Sequence, residues 1–178
     1  MYTDADGNKH YYTDQTDNYL QKNYQLLLNH SFSTAWNLNV ALHYTKGDGY
    51  YEEYKPGSSL VEYGLKPFNP DGTETNESDL VRQKKMDNKF GGGVFSLNYT
   101  GNRLTASLGG GLNRYRGNNF GKVTWVKNYI GNLSPEHEYY RNKSKKTDGN
   151  IYLKANYDLT STLSAYADLQ YRHIDYTI

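Results

Sequence analysis

Six times along this chain apolar and polar residues alternate one by one, and that two-residue rhythm is the constraint every other reading has to satisfy. The clearest case is WNLNVALHYT, in which Trp36, Leu38, Val40, Leu42 and Tyr44 are separated by Asn37, Asn39, His43 and Thr45. Side chains of a strand point alternately to its two faces, whereas a helix repeats every 3.6 residues or so, so the pattern reads as strand. Similar stretches place strands near residues 19–32, 36–46, 90–100, 103–116, 149–159 and 163–176. Tyr24, Leu26, Leu28 and Phe32 share a face of the first, although Leu27 breaks its polar series. Ile151, Leu153, Ala155 and Tyr157 share one in the fifth, and Leu163, Ala165, Ala167, Leu169 and Tyr171 one in the sixth. Residues 79–86 have weak helical character, but strand or loop is the better reading there, and no helix is needed anywhere.

The connections alternate between short and long. Ser33-Thr34-Ala35, Gly101-Asn102 and Thr160-Ser161-Thr162 are tight hairpin links. Between them lie polar stretches, roughly 47–81 and 117–146, expected to be long loops. The expectation is an all-β, antiparallel meander of about six strands in three hairpins. Each hairpin opens on a polar ramp with an Asp followed by Asn or Gly, at Asp17, Asp87 and Asp148, an echo too uneven in spacing to be a solenoid repeat.

Composition decides what these one-sided strands can face. The 178 residues suit one domain, yet only 36% are hydrophobic, and mean hydropathy is −0.93. Tyrosine fills the gap, with 20 copies against 5 Phe and 2 Trp, and its hydroxyl favours a boundary with water. Lys and Arg number 20 against 19 Asp and Glu, so no field attracts nucleic acid. The absence of cysteine excludes disulfides, thiol nucleophiles and Cys-based zinc sites.

A strand with one apolar face can cover a soluble core, or it can face lipid outside and water inside. Ala106, Gly110, Ala155, Ala165 and Ala167 make the apolar faces smooth, which suits a wide, water-filled barrel more than a close-packed sandwich. Aromatic boundaries fit the same picture. Phe32, Trp36, Tyr99 and Tyr157 flank the short turns, while Tyr19, Tyr44 and Tyr171 lie toward the long loops. Trp36 to Tyr44 spans about 26 Å at ~3.3 Å per residue, comparable after tilting with the roughly 25 Å apolar band of membrane barrels. Residues 46–54 then read as a strand leaving the membrane toward an outer loop.

Short turns alternating with long loops, strands continuing past the apolar band, and ramps such as TDNYLQKNYQLLLNHSFS followed by WNLNVALHYTKGDGYYEEYK resemble the barrel portion of TonB-dependent outer-membrane receptors, especially importers of glycans and siderophores. The resemblance covers nearly the whole chain in texture rather than through a signature motif. It implies a segment, residues 1–178, of a large transmembrane β-barrel in the outer membrane of a Gram-negative bacterium. Such receptors close about 22 strands around a plug domain, and neither the plug nor an energy-coupling box is visible here. The implied partners are outer-membrane lipid, the plug, the remaining barrel strands and a surface lipoprotein. Two open sheet edges would also let isolated copies associate. Nucleic acid is not among the partners, and no cofactor or enzymatic role is implied. The alternative is a secreted or surface-attached β-rich module that recognises glycans through Tyr and Trp.

Candidate ligand residues come in two groups. Tyr50, Tyr51 and Glu52 in YYEEY offer ring faces and a hydrogen-bonding carboxylate, though a solvated loop base beside an aromatic girdle accounts for them too. Trp125, Tyr129 and Tyr139 offer stacking faces beside polar groups, and loop packing is the competing explanation. The Asp4–Asn8 stretch DADGN lacks the spacing and distal Glu of a calcium loop and reads as a turn. His10, His30, His43, His137 and His173 have no metal-binding spacing, so no metal site is expected. The triplets Gly91-Gly92-Gly93 and Gly109-Gly110-Gly111 fall on neighbouring strands, where they permit bending or close approach. No catalytic arrangement is discernible.

Overall fold

The computed structural model describes residues 2–11, 15–66, 74–127, 129, 133 and 137–178. Two short strands, β1 (Tyr2–Thr3) and β2 (Lys9–His10), form a small antiparallel ladder. The remaining six are β3 (Asp17–Ser31), β4 (Trp36–Ser59), β5 (Glu77–Thr100), β6 (Leu104–Val126), β7 (Glu138–Asp158) and β8 (Ser164–Thr177). They form one antiparallel sheet in the order β3-β4-β5-β6-β7-β8, an all-β meander that does not close on itself. The expected six strands and their order are therefore present, and residues 79–86 are strand.

The short links form where the sequence places them. In the first, the Ser33 hydroxyl accepts the N–H groups of Ala35 and Trp36, while Phe32 N–H donates to the Trp36 carbonyl. Gly101 N–H closes the second on the Leu104 carbonyl at 2.8 Å. In the third, Leu159 and Thr160 both donate to the Leu163 carbonyl. At the far ends the expected boundaries need correction. Residues 47–59, 77–81, 117–126 and 138–146 are strand, leaving connections of only 60–76 and 127–137. Apolar alternation fades in those stretches, but the backbone ladder does not depend on apolar side chains. Parts of both connections, including Glu136, lie outside the described residues.

The chain divides into two compact units, and β3 through β7 contribute to both. One unit comprises residues 22–46, 88–116 and 144–178. Its register is fixed by face matching: Ile151 pairs with Tyr171, Leu153 with Leu169, Ala155 with Ala167 and Tyr157 with Ala165. A slip of one residue would exchange the faces, so this pairing keeps Ile151, Leu153, Ala155 and Tyr157 of β7 beside apolar residues of β8. On this face the Trp36 and Tyr99 rings lie 4.8 Å apart, and Tyr24 faces Tyr44 at 6.3 Å. Phe32, Tyr157 and Tyr171 are exposed.

Across β3 to β6 the opposite face of that unit carries a continuous chain of neutral hydrogen bonds, while β7 and β8 carry ion pairs of Asp148 with Arg172 and of Lys154 with Asp168. Asn37 donates to Ser31 and Asn29, Asn29 donates to Asn39, and Asn39 donates to Ser96. Asn98 donates to Ser96, and Ser107 to Asn98, carrying the chain from β3 to β6. The His43 ring nitrogen lies 2.8 Å from Asn113 Oδ1. Glycine makes room for this layer: a Cβ at Gly92 would overlap the Asn113 side chain, and one at Gly109 would overlap the Tyr152 hydroxyl. The glycine triplets thus admit side chains from neighbouring strands, a closer approach than a β-carbon allows.

The other unit comprises residues 1–21, 47–87 and 117–143. Its core is small and apolar. Leu60, Leu80 and Val123 are essentially inaccessible, and Tyr63, Leu65 and Val126 pack with them. A 3-10 turn at Val61–Tyr63 brings Leu60 and Leu65 together; Gly64 ends it at φ 66°, a left-handed conformation that glycine adopts without strain. Leu65 N–H returns to the Leu60 carbonyl at 3.0 Å, and Leu60 N–H reaches Asn76 at 2.8 Å.

Candidate functional site

The tyrosines and charges of β4 face those of β5 in the second-described unit, and alternation sorts them into two sets. Tyr51 lies under the Lys84 ammonium, 5.7 Å from the ring centroid, and Glu53 binds Arg82. On the reverse of the strands Tyr50 meets Lys85 at 5.1 Å, and Glu52 accepts from Gln83 at 2.8 Å. Neighbouring residues on a strand point to opposite sides, which is why one sequence, YYEE, supplies two cross-strand ladders.

A hollow of about 280 Å³ borders both pairs, Tyr51 with Lys84 and Tyr50 with Lys85. One wall is Tyr19, whose ring lies across Gly47 and Gly49; a Cβ at Gly49 would come within 2.8 Å of Tyr19 Cδ2. This places Tyr19 over the glycines of β4 rather than in an aromatic boundary. Asn18, Asn119 and Tyr140 also line the hollow, as do Asp17, Tyr50, Lys85 and Met86. Ring faces, two ammonium groups, a carboxylate and two amides thus converge on a concave surface, the composition of a site for a polar ligand with a flat apolar side.

Arg82 organises the wall toward the core. Its Nε donates to Glu53 Oε1 at 2.6 Å, and a terminal nitrogen donates to the Tyr63 hydroxyl at 3.0 Å. Burial alone would raise the Glu53 carboxyl, but hydrogen bonds and charge from Arg82 and Lys55 outweigh it and hold the group below its ordinary 4.5. Asp79 follows the same logic: burial is outweighed by bonds from Tyr54, the Gly57 N–H and Lys127, so its carboxyl lies below 3.8. Burial pushes the Tyr139 phenol up to about 12, with the Arg82 charge opposing. Lowered carboxyls stabilise the fold above their unfolded values and lose that contribution as pH falls through the folded ones. Protease resistance of this unit is therefore expected to decline as pH drops below 4.5, the ordinary Glu value. The paired substitution Glu53→Gln and Asp79→Asn is expected to flatten that decline.

The six candidate ligand residues separate. Tyr50 and Tyr51 border the hollow, and Glu52 is engaged by Gln83. Tyr139 instead packs edge-on against Tyr63 at 4.7 Å and against Tyr140 at 4.9 Å, beside the apolar core. Tyr129 packs on the same core. Trp125 stands exposed on β6. His137 fastens its segment to the 3-10 turn, a ring nitrogen lying 2.7 Å from the Tyr63 carbonyl oxygen. Asp4 accepts the N–H groups of Asp6 and Asn8, so DADGN forms a hydrogen-bonded turn. Among the described residues no His, Asp and Glu cluster could hold a metal ion.

Sequence reasoning missed Lys84, Tyr140 and the glycine seat of Tyr19. Lys84 stood in the charge run RQKK, whose alternation against YYEE would have paired it with Tyr51. No protein-family model matches the chain, and no curated protein does.

Proposed function

We propose that this chain is a barrel segment of an outer-membrane receptor of the TonB-dependent kind, taking part in import of a nutrient of the glycan or siderophore class. One observation carries the reading: an open antiparallel sheet with its apolar residues uncovered on one face and a connected amide and hydroxyl layer on the other. Leu26 and Leu169 are 66% and 69% exposed, far more apolar display than a water-facing sheet sustains. Lipid supplies the missing cover, and the neutral layer faces water inside the barrel. The free edges of β3 and β8 are where further barrel strands would pair. At ~3.3 Å per residue, the 24 residues of β4 greatly outreach a bilayer, as expected of strands that rise above the membrane.

In this reading the chain works in the Gram-negative outer membrane with lipid, a plug domain and a surface lipoprotein as partners, and it performs no catalysis. The alternative, a secreted glycan-binding module, requires the apolar face to pack on a second sheet about 10 Å away. The described residues hold one six-stranded sheet and the two-residue ladder of β1 and β2. The test is refolding of the chain in buffer, in detergent and in lipid vesicles. Ordered structure is expected only with detergent or lipid. A monomer that unfolds cooperatively in buffer alone would overturn the membrane assignment.

A further inference from the structure

We infer that the Tyr19–Tyr51 hollow binds a carboxylated pyranose, a uronic acid residue of an acidic glycan. The inference rests on the nutrient-receptor reading only for why such a ligand arrives; the chemistry comes from the hollow.

The first observation is a cation that no carboxylate among the described residues holds. Arg82 closes on Glu53, Lys127 on Asp79 and Arg141 on Glu138. Lys84 is held instead by the face of Tyr51. A ring quadrupole attracts an ammonium without taking up its hydrogen-bond donors, so Lys84 keeps donors for an anion entering the hollow. A carboxylate there gains a charge-assisted bond.

The second observation is the aromatic seat. Tyr19 lies flat because Gly47 and Gly49 beneath it carry no β-carbons, and Tyr140 lines the same hollow. A pyranose has a flat side of C–H groups that packs against such rings and a rim of hydroxyls that needs hydrogen bonds. Asn18 and Asn119 provide both donors and acceptors, and Asp17 provides acceptors for hydroxyls. A volume of about 280 Å³ suits one sugar ring and its substituents, with neighbouring rings left outside. A planar apolar ligand would leave the amides unused, and a bare inorganic anion would leave the rings unused.

Lys85, held over the Tyr50 ring at 5.1 Å, lines the same hollow and adds a second ammonium to it.

The test measures binding of tetragalacturonate and its methyl ester to the full chain, under whichever refolding condition gives ordered structure. The ester keeps the rings and hydroxyls and removes the charge. Tetragalacturonate is expected to bind at least about tenfold more tightly than the ester, the scale of one charge-assisted bond. The paired substitution Lys84→Met and Lys85→Met is expected to abolish the preference, and Tyr51→Ala to weaken both ligands. Circular dichroism confirms that each variant folds. Equal binding of acid and ester, or a preference that survives loss of both lysines, would overturn the inference. The outcomes separate the two readings. A chain that orders only in lipid but lacks the acid preference keeps its membrane assignment and loses this site. One that folds in buffer and shows the preference keeps the site and loses the membrane assignment.

Discussion

Replacing Leu80 with alanine is expected to lower the stability of the unit containing it by about 3 kcal/mol, within the ~2–5 kcal/mol range for buried Leu-to-Ala changes. Leu80 is 0% exposed and meets Leu60, Val123 and Tyr63 in a cluster drawn from distant parts of the chain. Such a core has few neighbours that can shift to refill the space, so transfer and cavity terms both apply. The chain has two tryptophans, Trp125 in this unit and Trp36 in the other. Denaturant unfolding of a Trp36→Phe background, followed through Trp125, reads the change directly. A loss below about 1 kcal/mol, the usual size of a surface effect or less, would mean that the cluster does not hold these strands together.

The second large effect belongs to the apolar band. Val40 lies midway between Trp36 and Tyr44, and Val40→Arg is expected to cost about 2–4 kcal/mol when the chain folds in a bilayer, the penalty for a cation at mid-depth on a barrel's lipid face. Ala41, the next residue of β4, alternates to the opposite face, the one that carries Asn39. Ala41→Arg is expected to cost much less, because its guanidinium reaches water. The check is the folded fraction of each variant in vesicles across a denaturant series. Equal penalties for the two substitutions would remove the distinction between lipid and water on which the functional proposal depends.

The strand ends at the short turns were legible from sequence, and the distal ends were not, for one physical reason. Around Trp36, Thr100 and Leu104 the two faces differ sharply in polarity, so alternation marks both strand and side. Beyond Lys46 the faces carry Tyr50 and Glu52 against Tyr51 and Glu53, and a polarity scale sees no difference between them. The pairing with Gln83, Lys84 and Lys85 supplies the missing signal, but it requires knowing that β4 and β5 are neighbours along their full length. The core was hidden more deeply. Leu60, Leu80 and Val123 belong to no common period, and only the 3-10 turn at Val61–Tyr63 brings the first within reach of the others. Tyr139 shows the limit from the other side: its residue type suits ligand stacking and core packing equally, and its neighbours Tyr63 and Tyr140 place it with the core.

The run of amides and hydroxyls from Ser31 through Asn37, Asn29, Asn39, Ser96 and Asn98 to Ser107, taken without the neighbouring His43 and Tyr152, has no member that titrates in water. A solute moving across it would meet hydrogen-bonding partners of constant character whether the medium were acidic or alkaline, dilute or saline. Its passage would be governed by shape and hydration, and ionic strength would leave its rate untouched until it met a charged residue elsewhere.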